Sequence, residues 1–140
     1  MKAQMLVITL GVDNLERSLK FYRDGLGLPS QGIHGTEYEH GTIALFDLQN
    51  GLMLTIFARS DLALDANVPA SAPCATECTL GHYVRSRAEV DAVMEQAKKA
   101  GAAITDPAHD RPWGIYSGYF ADPDGHLWEV VYNPDMEISD

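Results

Sequence analysis

The stretch DPDGHLWEV, residues 122–130, sets one carboxylate, Glu129, into a turn-and-strand segment that is otherwise largely apolar. Such a group can ligate a metal, move a proton or simply face water. A second candidate stretch is DPAHDRPWGIYSGYF, residues 106–120. There Trp113, Tyr116 or Tyr119 could stack on a planar ligand, and Arg111 or His109 could meet an anionic group. His34 and His40 bracket HGTEYEH; its composition could bind an ion, but Gly35 and the charges read more simply as a solvated turn and edge strand. Other chemistries lack their signatures. GLGL at 25–28 is a glycine pair at a helix end followed by proline, not a phosphate loop. No G-x-S-x-G elbow is present, and Cys74 and Cys78 have neither a base beside them nor His partners at zinc spacing, so they read as small apolar side chains.

These residues are positioned by an internal repeat. FDLQNGLMLTIF (46–57) aligns without a gap on FADPDGHLWEVV (120–131), with Gly51 on Gly125, an offset of 74. Each reads as strand, tight turn, strand. Upstream, LVITLGV (6–12) and CTLGHYV (78–84) align at an offset of 72 and lead into helices. D-N-L-E (13–16) and S-R-A-E (86–89) fit the capping-box spacing. Leu15, Leu19 and Tyr22 form one apolar helix stripe, and Val90, Val93, Met94 and Ala97 the other. Gly27 and Gly101 suit the C-cap positions.

The expected organisation is therefore a first β-α-β-β-β module at 1–59, a linker at 60–75 rich in Ala, Pro, Ser and Asp, a second module at 76–133 and a tail at 134–140. The second strand of each module is expected near 38–39 and 103–105. Strand alternation puts Leu6, Ile8, Leu10, Leu52, Leu54, Ile56, Leu80 and Val84 on the face that packs against helices. His82 shares that face and reads as structural, as does His126 after its turn glycine. The opposite face carries Met5, Val7, Thr9, Met53, Thr55, Phe57, Glu77, Thr79, Gly81, Leu127, Glu129 and Val131, a mixture suited to an organic ligand.

The helix-entry motif V-x-N-L-E-R-S-L-K-F-Y-R-D-G-L-G-L at 12–28, FADPDGHLWEVV at 120–131 and the duplicated plan together resemble the glyoxalase, bleomycin-resistance and extradiol-dioxygenase (vicinal oxygen chelate) superfamily. The resemblance spans nearly the whole chain. It implies an α+β fold of two tandem βαβββ modules forming a curled mixed sheet around a shared cavity, commonly in a homodimer. It also implies metal ligands at four places, which fall here on Val7, Thr55, Thr79 and Glu129. One carboxylate, two hydroxyls and an isopropyl group are a poor donor set for zinc, iron, manganese or nickel. The expectation is a protein without the usual metal that binds a small organic molecule through Val7, Thr9, Met53, Thr55, Phe57, Thr79, Trp113, Tyr116 and Tyr119. The alternatives are a divalent-metal-dependent lyase, isomerase or dioxygenase, and a metal-free enzyme with Glu129 as general base.

Ten Lys and Arg against twenty Asp and Glu, a formal charge of −10, argue against nucleic acid or an anionic membrane as partner. No apolar run is long enough to span a bilayer, MKAQMLVITLGVD lacks the marks of a signal peptide, and two cysteines make no disulfide framework. A cytoplasmic location is expected.

Overall fold

The computed structural model describes residues 1–139, in two compact units, Met1–Ala72 and Pro73–Asp140. The first contains β1 (Val7–Val12), α1 (Leu15–Leu19) continued by a π-helical turn (Lys20–Gly25), β2 (Ile33–His34), β3 (Ile43–Asp47), β4 (Met53–Ala58) and α2 (Arg59–Ala66). The second contains β5 (Thr79–Val84), α3 (Arg87–Lys99), β6 (Ala103–Asp110), β7 (Tyr116–Ala121) and β8 (Leu127–Tyr132). Each unit has one four-stranded mixed sheet, ordered β1-β4-β3-β2 and β5-β8-β7-β6. The outer pairs β1–β4 and β5–β8 are parallel and the rest antiparallel. These are two tandem βαβββ modules, and neither sheet closes on itself.

The duplication extends to register. Thr9 pairs with Thr55 across β1 and β4, and Gly81 pairs with Glu129 across β5 and β8, reproducing the offsets of 72 and 74. Between the last strands of each unit the turn glycines, Gly51 and Gly125, have φ of 76° and 88°, a backbone region that side chains other than glycine rarely adopt. In the second turn Asp122 accepts the N–H groups of Asp124 (2.9 Å) and His126 (2.8 Å). That pins the start of β8 and hence the position of Glu129.

The alternating pattern decides which face each sheet buries. In the first unit Leu10, Val12, Ala44, Phe46, Leu54 and Ile56 are buried with Leu19, Phe21 and Tyr22 of the helix, and Tyr22 meets Phe46 at 5.7 Å between ring centroids. In the second, α3 packs on the sheet, where Val84, Val90, Met94, Ala97, Phe120 and Val130 are buried. Each Val, Leu, Ile, Phe or Met among them contributes about 1.5–3 kcal/mol. α1 has only five residues, too few to persist alone, so packing holds it.

Several expectations change in detail. The first helix is capped by Asn14, whose side chain accepts the Arg17 N–H at 3.0 Å; Asp13 instead pairs with Arg59. At α3 the Ser86 hydroxyl accepts the Glu89 N–H at 3.1 Å, but Glu89 reaches back to the N–H of Arg85, at 2.7 Å. The second strand of the first module lies at Ile33–His34 rather than near 38–39, because the chain turns tightly there: Gly35 O accepts from Tyr38 N, and Tyr38 O from Gly41 N. The stretch read as a linker carries α2, which lies against β1 and β4. At the tail, the Arg85 guanidinium reaches the Ile138 carbonyl at 3.4 Å. Cys74 and Cys78, read as small apolar side chains, are exposed.

Candidate functional site

The non-helical face of the second sheet carries a continuous polar network centred on Glu129. β7 and β8 pair Ser117 with Val131 and Tyr119 with Glu129, so alternate residues of both strands share this face with Gly81 and Tyr83 of β5. Ser117 is fully buried. Its hydroxyl donates to Glu129 Oε1 at 2.9 Å and accepts from Arg111 Nε at 3.0 Å. Arg111 also donates to the Ser117 carbonyl at 3.2 Å and lies over the Tyr119 ring, 5.3 Å from its centroid. On its far side Arg111 meets Asp106 at 2.8 Å, and Asp106 meets His109 Nε2 at 3.0 Å.

The irregular pairing of β6 brings these groups together. Its register against β7 shifts twice, between Ile104 and Asp106 and between Asp106 and His109. A bulge re-aims side chains. Here it allows Asp106 and His109 to approach Arg111, which sits at the base of the hairpin tip where Arg111 N donates to the Ile115 carbonyl.

The charges follow from these partners. The hydrogen bond from His109, followed by that from Arg111, holds the Asp106 carboxyl below its ordinary range. Burial, the nearby Glu129 charge and a hydrogen bond to Glu129 push the Tyr119 phenol above its ordinary value. Glu129 thus accepts the Ser117 hydroxyl and stands beside Tyr119 on the neighbouring strand, and carboxylates offer about four acceptor positions.

The equivalent face of the first unit is mostly apolar. Val7, Thr9, Met53, Thr55 and Phe57 share it with Ile43 and Leu45. Thr55, in the position matching Glu129, is only 5% exposed, and its hydroxyl has no hydrogen-bond partner. That is an arrangement costing about 1–3 kcal/mol unless something satisfies it.

The structure separates the expected site residues. Glu129 and Tyr119 are neighbours, and Thr79 lies two residues along β5 from Gly81, exposed and paired with Leu127. Tyr116 lies on the opposite face, donating to Asp91 of α3 at 2.6 Å beneath the Arg87 guanidinium. Trp113 stands at the hairpin tip, 70% exposed. Val7, Thr9, Met53, Thr55 and Phe57 belong to the face of the first unit. His82 lies on the helix-packed side as expected but is exposed, and partial desolvation by its neighbours lowers its pKa. His34 pairs with Ile43 at the sheet edge, and His40 pairs with Asp61 at 2.8 Å. Ser117, at the centre of the network, was not among the sequence candidates. Extending the two-residue alternation from Tyr119 back along β7 is the signal that finds it.

Among the described residues, one group of three His, Cys, Asp or Glu side chains brings ligand atoms within 4.8 Å: Asp122, Asp124 and His126. Both Asp122 oxygens serve the turn, one accepting two N–H groups and the other meeting His126 Nδ1 at 2.6 Å. A cleft of about 230 Å³ lies beside Val12, Asp13 and Arg59, and the Arg59 guanidinium there is engaged by Asp13 and the Gly11 carbonyl.

Two four-stranded mixed sheets, each backed by its helix and related by duplication, define a tandem βαβββ protein. The model of the Glyoxalase/Bleomycin resistance protein/Dioxygenase superfamily matches residues 4–130, and the chain belongs to that superfamily. Among solved structures it is similar to a glyoxalase-related enzyme from Fulvimarina pelagi, at 34% identity with a TM-score of 0.84, covering 98% of this chain and 93% of that one. It is also similar to lactoylglutathione lyase from Agrobacterium tumefaciens, at 25% identity with a TM-score of 0.68 and 94% and 95% coverage. Among curated proteins it is 28% identical over 132 residues to the uncharacterized protein YraH of Bacillus subtilis (strain 168), covering 91% of this chain and 96% of that protein.

Proposed function

We propose that the protein binds a small organic molecule on the Glu129 face of its second sheet, without a resident metal. The observation carrying this reading is the surroundings of Glu129. Its carboxylate accepts the Ser117 hydroxyl at 2.9 Å, and the Arg111 guanidinium stands behind Ser117 at 3.0 Å. Among the described residues Glu129 belongs to no group of three His, Cys, Asp or Glu side chains whose ligand atoms lie close together, so it stands as a single ionic donor.

The other three superfamily positions do not supply what such an ion needs. Val7 offers no donor, Thr79 and Thr55 offer neutral hydroxyls, and Gly81, the pairing partner of Glu129, has no side chain. First-row metal sites rely on about three His or carboxylate ligands. The residues present do not fit one. They do suit an organic ligand, with polar groups at Glu129 and Tyr119 beside the apolar Leu127, all partly exposed.

Metal analysis of protein purified without chelators, followed by titration with nickel, zinc, manganese and ferrous ions, tests the reading. Substoichiometric metal and weak binding, unchanged in Glu129→Gln, are the expected result. Near-stoichiometric tight binding that disappears in Glu129→Gln would overturn it.

A further inference from the structure

We infer that the molecule bound by this face is a small planar aromatic compound carrying a cationic nitrogen, its ring on Tyr83 and its nitrogen on Glu129. This rests on the binding reading above and narrows it to a chemical class.

The first observation is the placement of Tyr83. β5 runs parallel to β8, with Gly81 opposite Glu129 and Tyr83 opposite Val131. The three residues Gly81, Tyr83 and Glu129 therefore share one face. Having no side chain, Gly81 leaves a gap beside Glu129, and the Tyr83 ring lies back over it: a Cβ at Gly81 would stand 3.1 Å from Tyr83 Cε2. Neighbouring strands are about 4.8 Å apart, so the ring lies over the strand next to Glu129. Tyr83 is 40% exposed, so the ring is open to a stacking partner.

The second observation is charge. Arg111 is the cation of the network, but its side chain is only 12% exposed and paired with Asp106 at 2.8 Å, with its remaining contacts to Ser117 and the Tyr119 ring. Arg111 and Asp106 offset each other. What holds the Glu129 charge directly is one neutral hydroxyl, that of Ser117 at 2.9 Å, with Tyr119 paired beside it. Covering this carboxylate with an anionic or apolar ligand would strip water from an uncompensated charge, whereas an ammonium or amidinium group would compensate it. The same nitrogen, flanked by the Tyr83 ring, would gain a cation–π contact. The chain's formal charge of −10 steers cations toward it.

The test is an NMR titration of the ¹⁵N-labelled full chain with benzylamine, protonated at neutral pH, and in parallel with benzoate and cyclohexylmethylamine. Benzylamine should give saturable shifts at Gly81, Tyr83, Tyr119 and Glu129, cyclohexylmethylamine weaker ones, and benzoate none. Glu129→Gln should weaken benzylamine about tenfold, and Tyr83→Leu about threefold or more. Gly81→Val should act as Tyr83→Leu does by displacing the ring. If Gly81→Val loses spectral dispersion, Tyr83→Leu and Glu129→Gln carry the test alone. Benzoate binding the same residues as tightly as benzylamine would overturn the cationic class while leaving the binding reading intact. Benzylamine that causes no shifts, or binds Tyr83→Leu and Glu129→Gln like the wild type, would overturn the inference. Tight metal binding at Glu129 would overturn the binding reading on which it rests.

Discussion

Ser117→Ala is the substitution that most directly probes the network. It removes one oxygen from a fully buried position, so the cost is almost wholly polar. Two bonds disappear, the 2.9 Å bond to Glu129 and the 3.0 Å bond from Arg111 Nε. A hydrogen bond to a charged group contributes about 1.5–3 kcal/mol. Glu129 is half-buried, and water can replace much of what it loses, which leaves about 1 kcal/mol on that side. The Arg111 side chain is largely covered, so its unsatisfied N–H costs about 2 kcal/mol. The sum, about 3 kcal/mol, should lower Tm by roughly 10 °C in a chain of this size. Urea and thermal unfolding can be followed by tryptophan fluorescence, because Trp113 and Trp128 both lie in the second unit. In a double-mutant cycle, Glu129→Gln should reduce the cost of Ser117→Ala by about 1 kcal/mol, since a charged acceptor becomes neutral. A Ser117→Ala protein within 0.5 kcal/mol of wild type, or an additive cycle, would refute the view that Ser117 joins Arg111 to Glu129.

Two further outcomes follow from the second unit. Tyr119 has its phenol raised by burial and by Glu129, so its neutral form is favoured in the fold. That contribution is intact below the ordinary tyrosine value of 10.0 and is lost as pH rises through the higher folded value. With ¹³Cζ-labelled tyrosine, the Tyr119 midpoint should fall in Glu129→Gln; an unchanged midpoint contradicts the assigned contact. Gly118→Ala should destabilise by about 1–3 kcal/mol. The new Cβ would stand 2.8 Å from Met94 Cε and 2.9 Å from the Ala108 backbone nitrogen. Met94→Ala relieves only the first contact, so full recovery of stability in the double variant would show that the β6 backbone does not constrain this position.

The repeat shows how far the sequence reaches. Apolar alternation in LVITLGV and LMLTIF, the helix stripes and the turn glycines are local features. Each reflects a backbone period or a φ requirement that short-range physics imposes. Their duplication fixes the module plan, and its offsets carry the pairing of Thr9 with Thr55 onto that of Gly81 with Glu129 once either is known. The second strand of the first module was misplaced because E-Y-E-H alternates plausibly, while the Gly35–Gly41 turn that excludes a strand is a matter of backbone closure.

The candidate site divides in the same way. Glu129 is legible because a carboxylate in an apolar strand is expensive without a reason. Tyr116 and Tyr119, three residues apart in YSGYF, face opposite sides by strand alternation alone; what tertiary packing adds is their partners, Asp91 of α3 for one and Glu129 across the strand for the other. The sequence by itself determined the two modules, their helical faces and the lone carboxylate. Only the tertiary structure decided that Arg111, Ser117 and Glu129 meet, because the meeting depends on two bulges in β6 and on the β7–β8 register, which sets Ser117 diagonally beside Glu129. Those relations are set by how strands align with one another, and no local preference of the chain encodes them.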